Sequence, residues 1–71
     1  MRGYDEIDFV DGENGVHVVF CKGYHIGFIM WDDKSNEHYF ESNTECELTL
    51  YAGHMVMILA KLIELNQAVK Q

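Results

Sequence analysis

From Leu50 onward the apolar residues of this chain recur every three or four positions, whereas before it they tend to recur every second one. This change of period constrains the fold more than any other feature, because a 3.6-residue repeat belongs to a helix and a two-residue repeat to a strand. Tyr51, Met55, Ile58, Leu59, Leu62, Leu65 and Val69 form one stripe of a helix predicted over about residues 50–69, and Ala52, Val56 and Ile63 widen it. Met57 falls across from the stripe, among His54, Lys61 and Glu64. Thr49 is the expected N-cap, although Ser42 and Thr44 each open a Ser/Thr-x-x-Glu pattern that would start the helix earlier. Against the earlier start, Cys46, Leu48 and Leu50 alternate with Glu45, Glu47 and Thr49, which predicts an extended approach.

Upstream, Asp11-Gly12-Glu13-Asn14-Gly15 joins two β-prone segments through the Asp-Gly and Asn-Gly dipeptides that mark hairpins. Strands are predicted at about 4–10, 16–22, 25–32 and 37–42, with turns around Lys22-Gly23-Tyr24 and Asp32 to Asn36. The expected fold is α+β: a single domain over 1–71 with an antiparallel meander of three to four strands and one C-terminal helix packed on one sheet face.

A chain of 71 residues has a thin core, and small domains compensate with disulfides, metals, good packing or self-association. Both predicted sheet faces are apolar. Val16, Val18, Phe20, Ile26, Phe28, Met30 and Phe40 make the expected bed for the helix. The other face carries Ile7, Phe9, Val19, Ile29, Trp31 and Tyr39, together with His17, Cys21 and His25. One helix cannot cover both faces. A homodimer or a protein partner is therefore expected to cover the second, using Phe9, Val19, Ile29, Trp31 and Tyr39 on the sheet or Val56 and Ile63 on the helix flank.

The net charge of −7, from 12 acidic against 5 basic residues, argues against direct binding of nucleic acid. Asp5, Glu6, Asp8, Asp11, Glu13, Asp32, Asp33, Glu45 and Glu47 are the candidate acidic contacts to a basic partner. Glu6/Asp8, Asp11/Glu13 and Glu45/Glu47 lie two apart, which on a strand repeats carboxylates about every 6.6 Å, close to the spacing of phosphates along a nucleic-acid strand. The longest apolar stretch, Met55 to Ala60, is too short to cross a membrane. Met1, Arg2 and Gly3 run into Tyr4, Asp5 and Glu6 without an apolar segment, so a cytoplasmic protein with free Cys21 and Cys46 is expected.

Catalytic signatures are missing: the sequence has no glycine-rich phosphate cradle and no Gly-x-Ser-x-Gly elbow, and no enzyme or cofactor is expected. The acidic run Asp32-Asp33-Lys34-Ser35-Asn36-Glu37 fails as an EF-hand, because its sixth position is Glu37 instead of glycine and its twelfth is Asn43. No metal is expected either. The set a metal would draw on is His17, Cys21 and His25, spaced by four, which matches no common zinc pattern.

Lys22-Gly23, Ile26-Gly27, Ile29, Trp31-Asp32, Tyr39-Phe40, Leu59-Ala60, Leu62-Ile63 and Leu65-Asn66 resemble the small acidic accessory proteins of bacteriophages over about residues 20–66. The resemblance implies a non-enzymatic protein that binds and blocks a host or defence protein, including by imitating nucleic acid. It supplies no site residue.

Overall fold

The computed structural model describes residues 6–46 and 48–69, without the side chain of Val69. Four strands, β1 (Ile7–Asp11), β2 (His17–Cys21), β3 (Tyr24–Asp32) and β4 (Glu37–Ser42), form one antiparallel sheet in the order β1-β2-β3-β4, and the helix α1 (Ala52–Val69) follows. This is the expected α+β meander and helix. Between β1 and β2 the chain makes a single 3-10 turn at Glu13–Gly15, with Asn14 and Gly15 in the left-handed region. Lys22 and Gly23 both have positive φ and span the two-residue gap between the paired Cys21 and Tyr24, the conformation a tight hairpin demands.

The helix begins two residues later than predicted. Tyr51, not Thr49, is its N-cap, because the Tyr51 carbonyl accepts the first intrahelical bond from Met55 N at 3.1 Å.

The core lies between α1 and one sheet face. Val19, Cys21 and Ile29 are 0 % exposed there, with Ile7, Ile26 and Ile58 also buried and Phe9, Phe40, Met57, Leu62 and Leu65 packed around them. The predicted roles of the two faces are therefore reversed. Ile7, Phe9, Val19 and Ile29 form the bed of the helix, while Val18, Phe20, Phe28 and Met30 point the other way.

Ile26 and Phe40 nevertheless stay under the helix and His25 and Tyr39 on the far side, as expected, because of two local features. A bulge between Val19 and Phe20 pairs Val19 with Gly27 and Phe20 with His25, leaving Ile26 as the extra residue, which turns into the core. Four residues separate the paired Asp32 and Glu37, an even count, so Phe40 opposes Ile29 on the helix side and Tyr39 opposes Met30 on the open side. Gly27 is required at this crossing. A Cβ on it would meet the Phe40 ring at 2.6 Å, so only glycine lets that ring lie across β3.

The helix is also rolled relative to its predicted stripe, by roughly 60° at 100° per residue. Gly53, His54 and Ile58 are buried and Met57, Lys61, Leu62, Leu65 and Asn66 are half-buried, whereas Tyr51, Met55 and Leu59 face solvent. No helix among the described residues is long and apolar enough to cross a membrane.

Candidate functional site

Polar contacts hold the helix to the sheet at both ends, and each uses a histidine. At the N-terminal end His54 is 2 % exposed. Its Nδ1 accepts the backbone N–H of Tyr51 at 2.9 Å, doing from the third helical position what a glutamate does in a capping box. Because a backbone N–H can only donate, the proton of this imidazole sits on Nε2, which donates to Glu6 Oε2 at 2.6 Å. Lys22 Nζ stands 3.7 Å from the other oxygen of Glu6, and Lys22 N donates to the Glu6 carbonyl. The His54 hydrogen bond, helped by Lys22, holds the Glu6 carboxyl below its ordinary value despite partial burial.

Cys21 completes this cluster. Its donor atom and those of Glu6 and His54 all lie within 4.8 Å of one another, a thiol, a carboxylate and an imidazole drawn from three separate parts of the chain. The protons, however, are placed against a metal. Burial pushes the Cys21 thiol up, and Glu6 adds to that. A cation would have to displace both the thiol proton and the Nε2 proton while Nδ1 is already engaged as an acceptor. Nucleophilic chemistry fails for the same reason, since neither nitrogen of His54 is free to take a proton from a thiol that is fully buried. The cluster is a structural pin.

At the other end Asn66 reaches from α1 to β4. Its Oδ1 accepts the backbone N–H of His38 at 2.6 Å and also contacts His38 Nδ1 at 2.9 Å. The backbone donor identifies this atom as the acceptor oxygen, so His38 Nδ1 must be the protonated nitrogen. His17 on β2 is held likewise, with Nδ1 donating to Asp11 Oδ1 at 2.9 Å. The His17 and His38 ring centroids are 6.5 Å apart, and Trp31, paired with His38 across β3 and β4, meets that ring edge-on at 5.2 Å. Trp31 Nε1 donates to Asp33 Oδ1 at 2.6 Å.

Two apolar surfaces stay uncovered. On the outer side of α1, Met55, Val56, Leu59 and Ile63 are 57 %, 48 %, 56 % and 48 % exposed, spaced as one stripe with Ala52 beside them. On the open sheet face Val18, Phe20, Phe28 and Met30 are half-buried and Val10 and Tyr39 are exposed. Carboxylates frame this second surface: Asp8 on β1 opposes Phe20, Glu41 on β4 opposes Phe28, and Glu37 opposes Asp32 at the end of β3.

Several predicted contacts are placed otherwise. Phe9, Val19 and Ile29 pack under the helix and Trp31 lies on the same side, so they do not form a free interface; Tyr39, Val56 and Ile63 do remain exposed. Among the acidic residues, Glu6 turns to His54 and Asp11 to His17, and Asp32 accepts Lys34 N and Ser35 Oγ within its turn. Glu45 sits in a turn with its N–H on Asn43 Oδ1, Glu13 lies in the 3-10 turn, and Asp5 and Glu47 fall outside the described residues. The two-apart carboxylate ladder therefore does not form among the described residues. His17, Cys21 and His25 are not brought together: Cys21 joins Glu6 and His54, His17 faces His38, and the bulge carries His25 to the open side, where it packs edge-on against Phe28. Glu6 with His54, and His38 with Asn66, had no signal in the sequence beyond residue type.

An open depression of about 390 Å³ beside Tyr24, Glu45, Cys46 and Leu48 brings one carboxylate and one thiol together without a histidine. No protein-family model, curated protein or solved structure matches the chain, so its function has to be read from these side chains themselves.

Proposed function

We propose that this chain is a non-enzymatic binding protein that works as a homodimer joined through the outer face of α1. The observation that carries this is the exposed stripe Met55, Val56, Leu59 and Ile63, an apolar surface left over after the core has formed. Charge selects a second copy as its occupant. Of 12 acidic residues only Glu64 lies in the helix, so this is the surface on which two copies of a protein with net charge −7 meet with least repulsion. The stripe is self-complementary about a two-fold axis, with Ala52 and Ala60 allowing close approach of the two helices. Sedimentation at tens of micromolar is expected to give the mass of a dimer, and Leu59→Lys with Ile63→Lys the mass of a monomer with an unchanged circular dichroism spectrum. A monomeric wild type overturns the proposal.

The open sheet face supports a second role for the same dimer. Its apolar centre of Val18, Phe20, Phe28, Met30 and Tyr39 is framed by Asp8, Glu37 and Glu41, which suits a protein surface bearing lysine and arginine around an apolar centre. Surfaces of that kind are built to hold phosphates, so this face acts as an inhibitor that displaces nucleic acid from a basic site in the cytoplasm, the role implied by the resemblance to phage accessory proteins. The immobilised protein is expected to retain one stoichiometric partner from a bacterial lysate, to release it on addition of double-stranded DNA, and to lose it in the variant Asp8→Asn/Glu37→Gln/Glu41→Gln. Capture indifferent to both DNA and the variant sinks this role while leaving the dimer untouched.

A further inference from the structure

We propose that the outer edge of β1 is a docking site for an extended peptide segment, which adds to the four-stranded sheet as a further antiparallel strand and carries lysine or arginine opposite Asp8 and Asp11. The argument starts from the backbone. Lys22 N donates to the Glu6 carbonyl at 2.9 Å and Gly12 N to the Val16 carbonyl at 2.7 Å, and these two bonds bracket β1 in the register that pairs it with β2. Hydrogen-bonded pairs alternate along an antiparallel ladder, so Asp8 and Val10 turn their N–H and C=O groups to β2, and Ile7, Phe9 and Asp11 turn theirs away from it. β1 ends the sheet, and these outward groups have no backbone partner among the described residues.

The opposite edge is closed where β1 is open. On β4 the outward N–H of His38 is taken by Asn66 Oδ1 at 2.6 Å, so the helix guards one end strand with a side chain. β1 has neither a proline nor a bulge to blunt it, and its Val10 is 50 % exposed. Its charges are of one sign, from Asp8 and Asp11 with no base between them. They repel a second copy of a chain with net charge −7 and admit a basic segment.

Alternation gives the occupant a pattern, because residues directly across a ladder share a face. From its N-terminus the incoming strand meets Asp11, whose side chain is 88 % exposed, then Val10, Phe9, Asp8 and Ile7. The complementary order is basic, apolar, apolar, basic, apolar. Lys61, its ammonium 5.7 Å from the centre of the Phe9 ring, keeps a base out of the third position. This edge lies apart from the α1 stripe and shares only Asp8 with the open sheet face, so it stands whether or not those surfaces bind.

A capped synthetic peptide with Lys-Val-Val-Lys-Val at its centre is the probe, titrated into the full chain at neutral pH and low salt. Binding is expected to shift the amide resonances of Ile7, Phe9 and Asp11 and to slow their hydrogen exchange, while the amide of Phe40 on β4 stays as it was. N-methylation of the second valine, whose N–H meets the Phe9 carbonyl, should weaken binding at least about tenfold, and N-methylation of the first, whose N–H points away, should leave it within about twofold. Glutamate in place of both lysines should cost about tenfold, a preference that Asp8→Lys narrows. The proposal is overturned by absence of binding at millimolar peptide, by equal binding of the lysine and glutamate peptides, by equal losses from the two N-methylations, or by shifts centred on Phe28 and Met30, which would place the peptide on the open sheet face. The decisive readings are made on the wild-type chain with altered peptides, so the outcome does not depend on a variant folding.

Discussion

The two ends of α1 solve the same problem with opposite proton arrangements. At the N-terminal end His54 is deeply buried and both its nitrogens are committed, one accepting from the helix N-cap and one donating to Glu6, 48 residues away in sequence. At the C-terminal end the helix contributes an amide instead, and Asn66 ties down the backbone and Nδ1 of His38, whose Nε2 has no partner among the described residues. A histidine with both nitrogens engaged inside the core is a fastener. One with a single nitrogen engaged at a half-buried position fastens the helix with only part of its bonding capacity. Residue type alone does not separate the two cases; the polarity of the group facing each nitrogen does.

The comparison predicts unequal costs. His54→Ala leaves the Tyr51 N–H without its partner and opens space beneath the helix, and a loss of about 2–3 kcal/mol in urea unfolding is expected. His54→Gln should recover part of it, because a longer amide can still reach back to the N-cap in the manner of a capping box. If Ala and Gln were equally destabilising, His54 would be filling volume rather than fastening the helix start. Asn66→Ala comes next, at about 1 kcal/mol, since water can reach the half-buried His38 N–H once the amide is gone. A loss at Asn66 equal to that at His54 would erase the distinction between the two ends.

Much of the architecture was legible before the structure. The alternation in the first half located four strands, and the 3.6-residue repeat located the helix to within two residues of its start. The roll of that helix was not legible, because a hydrophobic count scores His54 and Lys61 as outward-facing. His54 is buried by virtue of Glu6, and Lys61 lays its stem inward with its ammonium 5.7 Å from the centre of the Phe9 ring. Which sheet face received the helix followed from the same long-range contacts. Ile26 and Phe40 kept their expected side while their strand neighbours reversed, and that needed a bulge in one case and the length of one turn in the other, neither of which the apolar pattern encodes. The candidate site shared this fate: Glu6, His54, His38 and Asn66 are visible as residue types, but each pair meets only through helix roll and strand register.

The smallest expected effect lies in the acid limb of stability, and it isolates the carboxylate of the buried end. The hydrogen bond from His54, aided by Lys22 and opposed by partial burial, holds Glu6 below its ordinary value of 4.5. A carboxyl depressed on folding binds its proton less readily in the folded chain than in the unfolded one. Its contribution is therefore complete above the unfolded value and is lost as pH falls through the depressed one. Glu6→Gln should lower the urea midpoint at neutral pH and leave it nearly unchanged in strong acid, so that the two curves converge as pH drops. A quarter of the Glu6 side chain remains exposed, at 25 %, so solvent screens the interaction and keeps the gap modest. Curves that stay parallel from neutral pH into acid would show that Glu6 acts by shape and not by charge, and the N-terminal fastener would then be reduced to the bond between His54 and Tyr51.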